Sequence, residues 1–280
     1  MSKKRKWLLL LVGIIMLLIW IVWGNSALEL NEYYIKSDKI PEAFSGFRIV
    51  HISDFHNAEI GEDNVKLIRM IEQAEPDIIV ITGDIIDSYR TDIDVSLQFI
   101  EKVVQIAPCY YVTGNHEARF SKEVYSDFEK KMEYYGVNVL HNKIVFLERD
   151  EMYICLGGLD DPTFAQRYSK KVQNKISDQI TELFAEEGYK ILLSHRPDFY
   201  QDYVKADVDL VFSGHAHGGQ VRIPLIGGIV APNQGFFPEY DAGLFVEENT
   251  QMFVSRGIGN SLCPIRFNNR PEVIVVELTK

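Results

Sequence analysis

Cysteine is scarce in this chain. Cys109, Cys155 and Cys263 are the only three in 280 residues, and no two have the CxxC spacing of a thiolate metal site or redox pair. Each lies in or beside an apolar stretch, so buried thiols are expected rather than a disulfide. Also missing are the GxxxxGK[ST] loop of P-loop nucleotide enzymes, the GxSxG elbow of serine hydrolases and the HExxH helix of zinc peptidases. Those three chemistries lose their usual supports. Positive charge is short as well, with 29 Lys and Arg against 40 Asp and Glu. Lys3, Lys4, Arg5 and Lys6 all precede the first acid, Glu29, so the rest of the chain sets 25 basic residues against 40 acidic ones. Such a body repels polyanions, which argues against nucleic acid as a partner.

What is present begins with one long apolar run. Residues 7–23 hold 17 residues without a charge or a strongly polar group, with Trp7, Trp20 and Trp23 near the two ends. That length reaches the lower limit for crossing a bilayer and exceeds the usual apolar core of a secretory signal. Indole rings favour the membrane–water boundary. The run is therefore expected to be a single transmembrane anchor, with the basic tip 1–6 in the cytoplasm and everything after Gly24 on the outer face. The competing readings are a signal cleaved near Gly24–Ala27, which would release a secreted protein, and a domain facing the cytoplasm. Residues 24–46, polar and mixed in charge, read as a stalk. Residues 47–280 read as one folded domain.

Within that domain short β-branched runs alternate with amphipathic helical patterns. Strands are expected at 47–53, 77–82, 109–113, 189–195 and 208–215, with shorter ones near 137–148 and 152–157. Helices are expected near 62–75, around Leu97–Val104, at Val124–Tyr135 and at 176–187. From residue 219 onward the pattern becomes short strands joined by Gly, Pro and Asn turns. Strand–helix alternation followed by a β-rich half argues for α/β layers with two mixed sheets packed together.

One regularity carries chemistry. Five apolar strands each end in a polar cluster: HISDFH (51–56), TGDIID (82–87), TGNHE (113–117), SHRP (194–197) and SGHAH (213–217). In open α/β sheets ligands bind beyond the carboxyl ends of the strands. Taken singly, each cluster could be an ordinary turn; together they put Asp, His and Asn on one edge of one sheet. Imidazole with carboxylate and amide oxygens suits divalent metals, and no thiol joins the set. A carboxylate between two histidine-rich half-sites can bridge two ions roughly 3.5–4 Å apart, the two-metal arrangement of phosphatases. A hydroxide held between the ions attacks phosphorus, and a separate donor protonates the leaving oxygen. His51 and His141 fall outside the clusters and read as a packed strand residue and a surface-turn residue.

These clusters resemble the signature of the calcineurin-like metallophosphoesterases: Asp54-Phe55-His56, Gly83-Asp84-Ile85-Ile86-Asp87, Gly114-Asn115-His116-Glu117, the lone His195 and Gly214-His215-Ala216-His217. The resemblance implies a four-layer α/β/β/α sandwich with two central mixed β-sheets, here preceded by one N-terminal transmembrane helix. It implies two divalent ions per chain (Mn, Fe or Zn). One would be held by Asp54, His56, His217 and a bridging Asp84, the other by Asp84, Asn115, His195 and His215. His116 would serve the leaving group, with Asp87 orienting it. The HGGQVR, SRGIG and PIRFNNRPE stretches are similar to those of a bacterial, often membrane-anchored branch of phosphodiesterases. That likeness makes Arg222, Arg256 and Arg266 candidate phosphate contacts, because guanidinium binds phosphate oxygens in pairs. The expected substrate is a small-molecule or lipid-linked phosphoester: a phosphodiester or pyrophosphate of a lipid, envelope or nucleotide-sugar compound. The alternatives are a catalytically silent metal-containing scaffold that binds a phosphorylated partner, and a single-metal hydrolase.

Overall fold

The computed structural model describes residues 2–168, 175–185, 188–260 and 263–280. The apolar run lies inside a single exposed helix, α1 (Lys3–Ser26), of 24 residues. Its length, roughly 36 Å at the α-helical rise, makes it a candidate transmembrane span.

The chain then builds two six-stranded sheets. Into the first go β1 (Glu29–Lys36), β2 (Arg48–Ile52), β3 (Ile78–Thr82), β4 (Cys109–Val112) and β5 (Asn138–Val139). The second takes β6 (Lys143–Arg149), β7 (Met152–Leu159), β8 (Lys190–Ser194) and β9 (Leu210–Ser213). An excursion of two short hairpins follows: β10 (Arg222–Ile223) with β11 (Gly227–Gly228), and β12 (Val230–Ala231) with β13 (Gly235–Phe236). Finally β14 (Gly243–Glu247) and β15 (Thr250–Val254) complete the second sheet, and β16 (Glu272–Thr279) returns to the first. The orders are β1-β16-β2-β3-β4-β5 and β14-β15-β9-β8-β7-β6. β2 to β5 run parallel, as do β7, β8, β9 and β15, while β16, β6 and β14 join antiparallel, so both sheets are mixed.

Alternation along the strands separates three cores. Ile78 and Val80 of β3 face the space between the sheets with Ile191, Leu193, Leu210 and Phe212 of the second sheet. Ile79 and Ile81 point the other way, onto Leu67 and Ile71 of α2 (Val65–Gln73), Phe99 and Ile100 of α3 (Ile93–Val103) and Phe128 of α4 (Lys122–Tyr135). Beyond α5 (Pro162–Tyr168), Ile180 of α6 (Ile176–Leu183) and Tyr203 of α7 (Tyr200–Lys205) cover Leu192 and Val211 on the outer face of the second sheet. The result is the expected α/β/β/α sandwich. Helix α6 begins as expected, and residues 186 and 187 of that expectation lie outside the described residues.

One expectation is corrected. Residues 24–46 are not a stalk: β1 pairs parallel with the full length of β16, and Ile35, Ile40 and Phe44 are buried between the sheets. The strand reads as polar because it lies at the edge of its sheet, with Ile35 alone fully buried among its eight residues. His141 lies in the partly exposed bend before β6, as expected, and is held there by two carboxylates. Its Nδ1 lies 2.8 Å from Asp160 Oδ1 and its Nε2 2.8 Å from Glu129 Oε2. Burial opposes its charge, but the two carboxylates outweigh burial and push it up to about 10. His51 behaves as expected, buried in β2 with Nε2 2.7 Å from Thr82 Oγ1.

A chain that starts at residue 47 loses three buried apolar side chains, each worth about 1.5–3 kcal/mol, a sum comparable to the whole stability of a domain. Thermal unfolding should be cooperative for 27–280 and absent for 47–280. The raised His141 gives stability that is complete below the ordinary histidine range and is lost as pH rises through about 10. The difference in Tm between the protein and His141→Gln should therefore shrink between pH 7 and pH 10.5.

Candidate metal centre

The carboxyl ends of β2, β3, β4, β8 and β9 meet at one edge of the sandwich. The loops beyond them carry Asp54 and His56, Asp84 and Asp87, Asn115 and His116, His195, and His215 with His217. All of these side chains are buried. Two groups form around Asp84: Asp54, His56, Asp84 and His217 in one, Asp84, His195 and His215 in the other, with donor atoms inside each group all within 4.8 Å of one another. His56 Nε2 lies 3.2 Å from His217 Nε2 and 3.6 Å from Asp84 Oδ2. His217 Nε2 is 3.4 Å from Asp54 Oδ1. On the other side His195 Nε2 is 3.3 Å from both Asp84 Oδ2 and Asn115 Oδ1, and 3.1 Å from His215 Nδ1.

Donor atoms around a metal bound at about 2.1 Å sit roughly 3.0–3.4 Å apart, so these spacings fit shared cations. Protonation fits as well. Burial pushes His56, His215 and His217 down, leaving neutral imidazoles. Burial disfavours the Asp84 charge too, but neighbouring imidazoles, His195 foremost, outweigh it and hold the carboxyl well below the usual range. His195 is the counterpart: burial opposes its charge and Asp84 outweighs burial, pushing it up to about 10. A cation bound here takes the place of that proton.

The backbone is bent to achieve this. Asp54, His56, Asp84, His215 and His217 all have left-handed φ, between 48° and 65°. Two glycines let carboxylates lie against main chain: a Cβ on Gly114 would stand 2.2 Å from Asp84 Oδ1, and one on Gly214 would stand 2.3 Å from Asp54 Oδ2. Asp54 accepts from Ser53 Oγ and from the His215 N–H, and Asp84 Oδ1 accepts from the His116 N–H at 2.8 Å.

His116 packs edge-on to His56, with ring centroids 4.5 Å apart. Its Nδ1 lies 3.4 Å from Asp87 Oδ1, but the Ser88 N–H donates to it at 3.1 Å. A main-chain N–H can only donate, so Nδ1 accepts and the ring proton of neutral His116 sits on Nε2. Ser88 therefore orients the neutral ring; Asp87 can accept from Nδ1 only when the ring carries both protons, and its carboxylate accepts from the Tyr89 N–H and from Arg90.

Arg222, Arg256 and Arg266 do not line the cleft over this centre but are taken up by groups of the protein itself, although Arg266 is near enough to Asp54 and His217 to act on their charge. Arg222 donates to Gly218 O and pairs with Asp241. Arg256 is ion-paired with Glu272 and Glu29. Arg266 is fully buried on Asn260 Oδ1 and the carbonyls of Arg256 and Gly259. The guanidinium side chains in the 570 Å³ cleft over the metal groups are Arg119 and Arg196. Arg119 lies over the Tyr89 ring at 4.7 Å. Arg196, buried and paired with Asp161, donates to Asn233 Oδ1 at 2.6 Å; the same oxygen lies 2.9 Å from His215 Nε2, and an Nε2–H donated to it leaves Nδ1 with a lone pair, 3.1 Å from His195 Nε2. Its place directly after His195 in a strand-end cluster was the available signal. Cys109 and Cys155 are buried as expected, whereas Cys263 is exposed at the cleft.

Glu117, the last residue of GNHE, was given no role. Its buried carboxyl group, pushed up to about 8 by burial and by the charge of Asp84, accepts from the N–H groups of Asp84, Ile85 and Gly114, at 3.0, 2.9 and 2.8 Å. It ties the loop after β3 to the loop after β4. Glu117→Gln puts an amide NH₂ against main-chain donors, so it should cost about 2–3 kcal/mol in denaturant unfolding. The same variant should weaken metal retention on dialysis; unchanged stability and metal content would refute the clamp.

Residues 47–219 match the model of the family described as calcineurin-like phosphoesterase. The chain is similar to the uncharacterized metallophosphoesterase YkuE of Bacillus subtilis, at 33% identity over 90% of this chain and 85% of that one. It is 28% identical to the phosphodiesterase YaeI of Escherichia coli, over 83% of this chain and 82% of the relative. It is 30% identical to a zebrafish transmembrane protein with metallophosphoesterase domain, over 87% of this chain and 56% of that longer one. With the strand-end donors gathered round Asp84, these matches establish that the chain belongs to the calcineurin-like phosphoesterases and is a metal-dependent hydrolase of phosphoesters.

Proposed function

We propose that the protein is a membrane-anchored phosphodiesterase carrying two divalent cations that share Asp84. Asp54, His56 and His217 would complete one site; Asn115, His195 and His215 would complete the other. The observation that carries this reading is the pair of donor groups meeting at a single ionised carboxylate. When bound, such cations neutralise charge on a phosphoryl group and make water a nucleophile near neutral pH.

The chain's own residues supply the rest. His116 lines the cleft; in its imidazolium form, paired with the Asp87 carboxylate 3.4 Å from Nδ1, it can pass its Nε2 proton to a leaving alkoxide and is left as the neutral ring whose Nδ1 accepts from the Ser88 N–H. Arg196 holds Asn233, whose Oδ1 accepts from His215 Nε2–H and so keeps Nδ1 turned inward, and it adds positive charge to the cleft lining. Tyr89, Val230, Ala231 and Pro232 wall the cleft and suit a substrate whose phosphate carries an apolar or ring-bearing group. Anchoring by α1 favours substrates present at a bilayer surface, lipid-linked phosphoesters and pyrophosphates among them.

The test is turnover of purified full-length protein in detergent, loaded in turn with Mn, Fe or Zn, on aryl phosphodiesters, phosphomonoesters and nucleotide-sugar pyrophosphates. Asp84→Asn should abolish turnover and halve the bound metal by elemental analysis. His116→Gln should keep both ions and lose about 10²–10⁴-fold in kcat on alkyl leaving groups, and much less on p-nitrophenol, which needs little protonation. No turnover with any metal would overturn the proposal.

A further inference from the structure

Residues 223–238 contain no charged side chain, and they form the β10–β13 excursion that wraps one wall of the cleft. Four of their large apolar side chains are strongly exposed. Leu225 is 107% exposed, Phe236 77%, Phe237 64% and Ile226 62%. Leu225 and Phe237 do so from left-handed backbone, φ 71° and 55°, where bulky residues are uncommon. A surface designed only to meet water gains nothing from such a choice.

The excursion is tied to its surroundings by main-chain bonds. Ile229 N–H donates to Val221 O at 2.9 Å, Phe237 N–H to Ile229 O at 2.7 Å, and Arg222 N–H to Phe267 O at 2.9 Å. Gly219 and Gly228 touch so closely that a Cβ on Gly219 would stand 2.4 Å from Gly228 Cα.

Its other neighbour is the end of α1. Trp20 Nε1–H donates to Asn268 Oδ1 at 3.2 Å, and Asn268 Nδ2 donates to Arg222 O at 3.3 Å, one residue before the apolar stretch begins. Asn25 bonds to Arg266 O, and the Arg270 guanidinium lies 4.9 Å from the Trp23 ring centre. Trp20 and Trp23 close the apolar run of α1, where a spanning helix leaves the hydrocarbon. An exposed apolar knuckle tied to that point continues the surface α1 already gives to lipid.

We propose that residues 223–237 are a second membrane contact, seating Leu225, Ile226, Phe236 and Phe237 in the bilayer that holds α1. The same excursion supplies Val230, Ala231, Pro232 and Asn233 to the cleft, so its inner face serves substrate while its outer face meets lipid. The metal groups then open at headgroup level. Resting on the phosphoesterase reading above, this makes the substrate class a phosphoester whose phosphate sits in the headgroup of a membrane lipid.

Two arms test it, both on full-length protein in phosphatidylcholine–phosphatidylglycerol vesicles. In a Cys263→Ser background, an NBD fluorophore on Leu225→Cys or Phe236→Cys should emit blue-shifted light and be quenched by doxyl-labelled lipids. The same fluorophore on Tyr134→Cys, on the exposed side of α4, should remain aqueous. Aqueous emission at 225 and 236 overturns the contact. Blue-shifted emission without lipid quenching also overturns it, in favour of cover by a second copy of the chain. In the second arm, Leu225→Asp/Phe236→Asp should lose about tenfold on a phosphodiester headgroup in vesicles and stay within about twofold on a soluble aryl phosphodiester. Equal loss on both substrates, or on neither, overturns the substrate class. Lipid quenching in a protein that hydrolyses no phosphoester would support the contact and refute the hydrolase reading.

Discussion

Lone-pair donors do not gather willingly. Four imidazoles, two carboxylates and a carboxamide brought to within hydrogen-bonding distance of one another, and buried, are a poor arrangement for a bare protein. Everything near the site works to hold them there. Neutral histidines alternate with ionised Asp84, Ser53 and main-chain N–H groups steady the two aspartates, and Glu117 binds two loops through their amides. The crowding is relieved when cations sit among the donors, so the site is arranged around charge that the chain does not itself supply.

The sandwich makes that arrangement possible because neither sheet could do it alone. β2, β3 and β4 deliver Asp54, His56, Asp84 and Asn115 from one sheet; β8 and β9 deliver His195, His215 and His217 from the other. Asp84 sits on the seam. The middle core of Val80, Leu193 and Phe212 fixes how the sheets face one another and so fixes the distance between the half-sites. Packing far from the chemistry thus sets the chemistry's dimensions.

The donor residues were legible in the sequence because each follows an unmistakable buried strand, and strand ends in such a fold converge. The rest depended on partners remote in the chain. Arg256 meets Glu29 and Arg222 meets Asp241, and a guanidinium motif reads the same whether it faces phosphate or carboxylate. The partners of His141 in its surface turn were not legible because Glu129 and Asp160 are 12 and 19 residues away. β1 looked like a stalk because an edge strand with polar residues on both faces carries no alternation to read. The apolar excursion read as short strands and turns, and nothing local in it shows that Asn268 ties its start to Trp20 of α1.

Five donor residues hold left-handed backbone, a conformation that disfavours any side chain by about 1–2 kcal/mol at each position. Glycine would relieve every one of them. At Asp54, His56, Asp84, His215 and His217, then, folding free energy and ligand chemistry select in opposite directions at the same codon. A stabilisation programme that ranks substitutions by unfolding temperature alone would choose these positions early. It would return a sturdier sandwich with nothing left at its edge to bind a cation.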